Sequence, residues 1–319
     1  MMKTNYIFVT TMITGSMITI SSENWLSMWM GLEMNMMSFI PLINMNPSKP
    51  SPKASMMYFI TQSISSIMML MSIMMLMMKD STIMESMLTL TILIKMGAAP
   101  FHLWVPSMMS NMSWSSNMVF MTWQKVAPMY IMNMIEFNKI MTISIIMCVT
   151  IGSLSGLFQT SLRKMMAYSS ISHMGWMMSL NKAKDNWIMY LMMYSFMMWV
   201  TCNYFKKNKL MFISQMYNLK MNYVQKMNFV IMMMSLGGMP PMMGFLPKWM
   251  VIEEIMKYST MMMLIMIMTS MMTLFFYMQI MLKVMLVETS NNKWTMFNSS
   301  YKNYMFLMNL ILPIMMIIY

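Results

Sequence analysis

Apolar runs of ~17 to 25 residues recur along the whole chain, separated by short polar connectors, and each is long enough to cross a ~30 Å hydrocarbon core as a helix. Run length and interruption predict eleven spans, over residues 6–20, 25–44, 55–78, 82–103, 116–135, 139–157, 162–180, 187–205, 227–247, 260–287 and 303–319. The fold class expected is therefore all-α, a polytopic transmembrane helix bundle in which residues 1–319 make a single membrane domain. The first run passes through Ser21, Ser22, Glu23 and Asn24 into another full span, so it reads as a retained first helix and not as a cleaved signal.

Three of these runs are interrupted. Lys95 is followed by Gly97, Ala98, Ala99 and Pro100, then by Phe101, His102 and Trp104. Lys125 precedes Ala127 and Pro128, and the densest break holds Gly237, Gly238, Pro240, Pro241, Gly244, Pro247 and Lys248. Proline removes a backbone donor and small residues let a helix unwind, which frees carbonyls that water or neighbours must then satisfy. An ordinary proline kink is the alternative at each break taken alone, but a lysine lies beside all three. The most interrupted spans are the fourth and the ninth. Their offset of five is odd, so two five-helix units in tandem, residues 6–135 and 139–287, cross the membrane in opposite senses, with 303–319 as a C-terminal helix. That is the arrangement of inverted-repeat transporters, whose discontinuous helices meet near the midplane.

Composition removes other readings. With 58% hydrophobic residues, 9% charged and a mean hydropathy of +0.55, the chain falls outside the range of water-soluble domains. A net charge of +12 suggests nucleic-acid binding in a soluble protein, yet here most lysines lie in connectors and report topology. If the N-terminus lies on one side, that side receives twelve basic residues and the other only Lys79, Lys139, Lys182, Lys184 and Lys257. The positive-inside rule then puts the N-terminus on the side of synthesis and Tyr319 on the opposite face. Cys148 and Cys202 lie in apolar segments without metal-ligand spacing and read as small buried hydrophobes. Methionine supplies 69 residues and Arg163 is the only arginine. A strong A+T bias, in a genetic code that gives methionine an extra AT-rich codon, produces both and points to an animal mitochondrial gene. The side of synthesis is then the matrix.

Four basic residues remain inside spans: Lys95, Lys125, Lys248 and Lys283. A charge at bilayer depth costs about 2.5 to 3.5 kcal/mol even on insertion scales, so such side chains face a protein interior or a wet path. Lys283, four residues from the end of its span, is explained by snorkelling; Lys125 and Glu33, near the middle of theirs, are not. Burial disfavours the charged form of a lysine and a nearby carboxylate favours it, so Glu33 with Lys95 makes a switchable pair. Lys95, Lys125 and Lys248 would then hand protons along the midplane. His102 lies seven residues, about two turns, from Lys95 and shares its face if the helix continues, while His173 lies inside 162–180. Each histidine either relays protons or hydrogen-bonds a neighbouring helix. No GxGxxG, P-loop, cysteine cluster or paired-histidine haem pattern is present, which argues against redox cofactors in this chain.

Five ordered motifs carry a resemblance: Trp29 to Asn35 with Ser38 to Leu42, Lys95 to Trp104, Thr122 to Pro128, Gln159 to Trp176, and Ser235 to Pro241 with Gly244 to Trp249. Together they resemble the family of mitochondrially encoded NADH dehydrogenase subunit 2, over about residues 25–250 and in the family's order. The resemblance implies an antiporter-like, proton-translocating subunit in the membrane arm of complex I, the H+-translocating NADH:ubiquinone reductase, in the mitochondrial inner membrane. By resemblance, Glu33 and Lys95 match the family's glutamate and lysine pair, Lys125 its central lysine, and Lys248 the lysine of its second broken helix. It further implies that NADH, FMN, iron–sulfur clusters and ubiquinone belong to other subunits, with no cofactor and no metal here. Expected partners are the other membrane-arm subunits, with NADH dehydrogenase subunits 4, 4L, 3 and 6 as neighbours, accessory subunits and membrane lipids, and no nucleic acid. From the residues alone, two further readings stand: a freestanding cation/proton antiporter, and a scaffold whose buried charges only orient helices.

Overall fold

The computed structural model of the chain describes residues 2–45, 51–78, 82–183, 186–218, 223–240 and 242–286. Among these residues the chain forms helices α1 (Met2–Ser21), α2 (Trp25–Asn44), α3 (Ser51–Met78), α4 (Thr82–Met96), α5 (Trp104–Asn111), α6 (Trp114–Thr122), α7 (Val126–Met134), α8 (Lys139–Leu157), α9 (Leu162–Ser179), α10 (Trp187–Lys207), α11 (Tyr223–Gly237), α12 (Phe245–Met256) and α13 (Thr260–Leu286). Tight 3-10 turns occupy Trp123–Lys125, Leu180–Ala183 and Ile213–Asn218. The expected C-terminal helix 303–319 lies outside the described residues, as do Pro241 and the connector lysines Lys49, Lys79, Lys184, Lys220, Lys293 and Lys302.

The polarity of the bundle is that of a membrane protein. On α3, Phe59, Ile60, Ile64, Ile67, Met68, Met71, Met74 and Met75 are exposed, while Gln62, Ser65, Ser66 and Ser72 are buried. Helical spacing of three and four sets these two groups on opposite faces, and a helix in water orients them the other way. The buried hydroxyls mostly bond to carbonyls in their own helix, as in Ser65 to Gln62 and Thr89 to Ser86, so they cost little in an apolar surrounding. Among the described residues three helical stretches, Ser51–Leu76, Lys139–Leu157 and Thr260–Leu286, are long and apolar enough to cross a membrane unbroken.

The other runs depart from that simple form for physical reasons. The run 82–103 is α4 followed by a non-helical link, and α5 begins only after it, at Trp104. The run 116–135 is α6 and α7 joined through the turn at Trp123–Lys125, and Pro128 falls in the first turn of α7, where its missing donor is tolerated. The run 227–247 is α11 and the start of α12, which reaches Met256. In α9 the run is continuous but carries four buried serines and His173, so it needs protein around it.

Helix neighbours fall into two matching sets. In the first, α1 packs on α2, α2 on α3, α3 on α4 and α5, and α7 on α1 and α4. In the second, α8 packs on α9, α9 on α10, α10 on α11 and α12, and α13 on α8 and α11. The opening pair of each set meets through small residues. A Cβ on Gly31 would lie 2.7 Å from the Gly15 carbonyl oxygen, and one on Gly152 would lie 2.7 Å from the Ser172 backbone nitrogen. Such close backbone approach is how helices associate where lipid is as apolar as leucine. The two sets meet where α5 packs on α9, α4 on α8 and α6 on α10.

Candidate functional site

Two helix breaks of the same design stand at the ends of α4 and α11. At the first, Gly97 has φ +69°, its N–H donates to Ile94, and the N–H of Ala98 donates to Leu93. At the second, Gly238 has φ +75°, its N–H donates to Ser235, and the N–H of Met239 donates to Met234. Each is a Schellman cap, which needs a residue in the left-handed region and so favours glycine. The Ala99 N–H, freed by the first break, donates to the buried Cys148 sulfur at 3.0 Å.

Each cap has a buried lysine beside it. Lys95 lies in the last turn of α4, 7% exposed, and its backbone carbonyl accepts from Gln62 Nε2 at 3.0 Å. Lys248 comes from the other half of its break, near the start of α12, and reaches back so that Nζ donates to the Gly237 carbonyl at 2.7 Å. A cation is favoured at a helix C-terminus by the helix dipole, the more so when partly buried. Glu33 is half-buried on α2 and in electrostatic range of Lys95. The two do not form an ion pair; among the described residues such a pair joins Lys257 and Glu254 at the surface.

Lys95 and Lys125 line one small polar cavity. With Asn35, Tyr58, Gln62, Gln124 and apolar walls they enclose about 20 Å³, room for one water. The Tyr58 hydroxyl donates to Gln124 Oε1 at 3.3 Å, and Gln124 Nε2 donates to Asn35 Oδ1 at 2.9 Å. Lys125 itself ends the turn Trp123–Lys125, is 5% exposed, and donates from Nζ to the Ser170 carbonyl at 3.1 Å. Its ammonium also sits 4.9 Å from the centre of the Tyr194 ring, a cation–π distance.

From Lys125 the polar line continues through α9 and α10. His173 Nδ1 lies 2.8 Å from the Tyr190 hydroxyl, its ring is 4.9 Å from that of Tyr194, and both Lys125 and Lys248 act on it electrostatically. Lys248 Nζ lies 5.8 Å from the Trp176 ring, one helical turn along α9 from His173. Lys95, Lys125, His173 and Lys248 thus follow one another through the interior, while His102 is placed differently. The helix does not continue past Met96, so His102 does not share a face with Lys95; it lies in the link, its Nδ1 3.2 Å from the Pro100 carbonyl oxygen. Lys283 is in the last turn of α13, partly exposed. Asn35, Tyr58, Gln62 and Gln124 belong to the site but carry no charge, so charge within the spans does not point to them. Among the described residues no group of three or more His, Cys, Asp or Glu is gathered to hold a metal ion.

This architecture has known counterparts. A family model described as "NADH:quinone oxidoreductase/Mrp antiporter, TM" matches residues 22–85 and 77–276. NADH-ubiquinone oxidoreductase chain 2 of Anopheles gambiae is 38% identical over 318 residues, covering 96% of this chain and 93% of that relative. The protein of the same name from Locusta migratoria is 38% identical over 299 residues, covering 90% and 87%. Among solved structures, a chain of respiratory complex I from Thermus thermophilus superposes with a TM-score of 0.81 at 19% identity, over 88% of this chain and 70% of its own length.

Proposed function

Because the chain belongs to the NADH-ubiquinone oxidoreductase chain 2 family, we propose that its line of buried amines carries protons within the membrane arm of complex I. Electron transfer from NADH to ubiquinone takes place elsewhere in the complex and drives charge changes along this line. Glu33 biases the proton affinity of Lys95; Lys95 and Lys125 exchange protons through the shared cavity; and His173 and Lys248 take the charge onward.

The observation that carries this reading is the cavity between Lys95 and Lys125, flanked by the chain of side-chain bonds from Tyr58 to Gln124 to Asn35. Three ammonium groups at bilayer depth cost about 2.5 to 3.5 kcal/mol each even on insertion scales, and a fold that only needed rigid helices avoids that expense. One observation favours a scaffold instead, since Lys125 and Lys248 each bond a backbone carbonyl and tie two segments together.

The matched helix neighbours and the paired Schellman caps support two five-helix units, residues 6–135 and 139–287, related by an inverted repeat. Eleven spans, an N-terminus in the matrix and a C-terminus in the intermembrane space complete this reading of the inner-membrane topology. NADH dehydrogenase subunits 4, 4L, 3 and 6 are its proposed neighbours. NADH, FMN, the iron–sulfur clusters and ubiquinone are placed in other subunits.

Membership of the complex is tested on a native gel of mildly solubilised mitochondrial membranes, stained for NADH oxidation and analysed by mass spectrometry. Peptides of this chain in the large NADH-oxidising band support it. Peptides only in a small band without NADH activity point to a freestanding antiporter.

A further inference from the structure

His173 is not the only polar group between Lys125 and Lys248. Two phenols, Tyr194 on α10 and Tyr277 on α13, converge on α9, each 1% exposed or less, and neither hydroxyl has a hydrogen bond of ordinary geometry. The Tyr194 hydroxyl sits by the Ser170 side chain and the Tyr277 hydroxyl by that of Ser169, consecutive residues of α9, and the two phenols act on each other electrostatically. Both serine hydroxyls already donate along their own helix, to Ala167 and Met166. They can therefore accept from a phenol but have no second proton to give. Buried hydroxyls in folded interiors are nearly always paired, so two left open side by side call for a reason.

Their positions supply one. Lys125 stands at one end of the pair, its ammonium over the Tyr194 ring and bonded to the Ser170 carbonyl. At the other end the Tyr277 ring lies beside Gly237, where a built Cβ would stand 3.7 Å from Tyr277 Cδ2, and the Gly237 carbonyl holds Lys248. His173, by contrast, has its Nδ1 engaged by Tyr190.

We propose that Tyr194 and Tyr277 are a hydroxyl link that passes a proton between Lys125 and Lys248, in parallel with His173. The Lys125 ammonium gives a proton to the Tyr194 oxygen as Tyr194 gives its own to Tyr277. Tyr277 in turn gives its proton to the neutral amine of Lys248. One proton leaves Lys125, one arrives at Lys248, and neither phenol is left ionised.

This inference rests on the proton-carrying role of Lys125, and the test separates the two. Complex I carrying Tyr194→Phe, Tyr277→Phe or both is purified, reconstituted into vesicles, and read as protons moved per NADH oxidised. Phenylalanine keeps the ring under Lys125 or beside Gly237 and removes only the hydroxyl. Each single variant is expected to assemble and to move fewer protons per NADH, with the double variant no worse than the lower single, since the two act in series. A normal ratio in the double variant overturns the link. Failure of a single variant to assemble also overturns it, because the hydroxyl then serves folding. Lys125→Gln is measured alongside. If Lys125→Gln also pumps normally, the underlying reading fails; if it falls while the double phenylalanine variant does not, only the phenol link fails.

Discussion

Lys248 Nζ donates to the carbonyl of Gly237, 2.7 Å away, and so places its charge at the C-terminal end of α11 although it belongs to α12. Lys95 stands within α4 itself, in the last turn before the matching cap. Two lysines at different distances from their glycines, one two residues before and the other ten residues after, thus flank the two caps. The carbonyl left by the second break is answered by a cation that can also give up a proton, and the one at Lys95 by the Gln62 amide.

That arrangement makes Gly238 a sensitive position. A Cβ there would lie 2.9 Å from Lys248 Nζ and Cδ, on a backbone with φ +75°. The left-handed conformation alone costs an L-residue about 1–2 kcal/mol. Gly238→Ala is expected to shift Lys248 off Gly237 and to lower proton pumping more than it lowers the amount of assembled complex. The ratio of vesicle acidification to in-gel NADH oxidation checks this; a drop confined to assembly argues against it.

Gln62 bonds the Lys95 carbonyl at the point where α4 ends, so Gln62→Leu leaves that oxygen unpaired in the interior. Stranding a buried acceptor costs about 1–3 kcal/mol. The expected result is a less stable complex, seen as a lower thermal inactivation temperature of NADH:ubiquinone oxidation, together with weaker pumping.

The breaks and the lysines were legible in the sequence because glycine, proline and charge stand out in an apolar run. Gln62 and Gln124 were not, and neither were Tyr58 and Tyr194. Neutral amides and phenols blend into spans already rich in serine, threonine and tyrosine, and the amides' partners are distant in the chain, Lys95 being 33 residues from Gln62 and Asn35 89 from Gln124. The place of His102 was also hidden. Seven residues from Lys95 mean a shared face only while the helix lasts, and the Schellman cap at Gly97 ends it. How one span divides into two half-helices depends on that cap, and on what receives the freed donors, such as Cys148 for Ala99.

The two histidines should accordingly differ. His173 lies between Lys125 and Lys248, whereas the His102 ring bonds the link beside Pro100. His173→Gln is expected to lower protons moved per NADH, and His102→Gln to leave that ratio near wild type while reducing assembly. Equal loss of the ratio in both variants contradicts the order of groups described above.

At the crossing of α1 and α2, Gly31 has no room for a side chain, with the Gly15 carbonyl oxygen 2.7 Å and the Thr19 backbone nitrogen 3.0 Å from a built Cβ. Gly31→Val forces the helices apart, and overpacking of this kind costs about 1–3 kcal/mol. The complex should accumulate to a lower level, while each assembled copy pumps normally because no polar group of the line is touched. Quantitative native gels set against vesicle acidification measure the two separately.

The central claim is that the buried amines carry protons, and Lys125, at the junction of the two helix sets, tests it most directly. In complex I carrying Lys125→Ala, assembled and reconstituted, the measurement is the number of protons moved per NADH oxidised. The account predicts a lower number, with slower coupled NADH oxidation. An unchanged number in an assembled complex contradicts it and leaves the lysines a structural role.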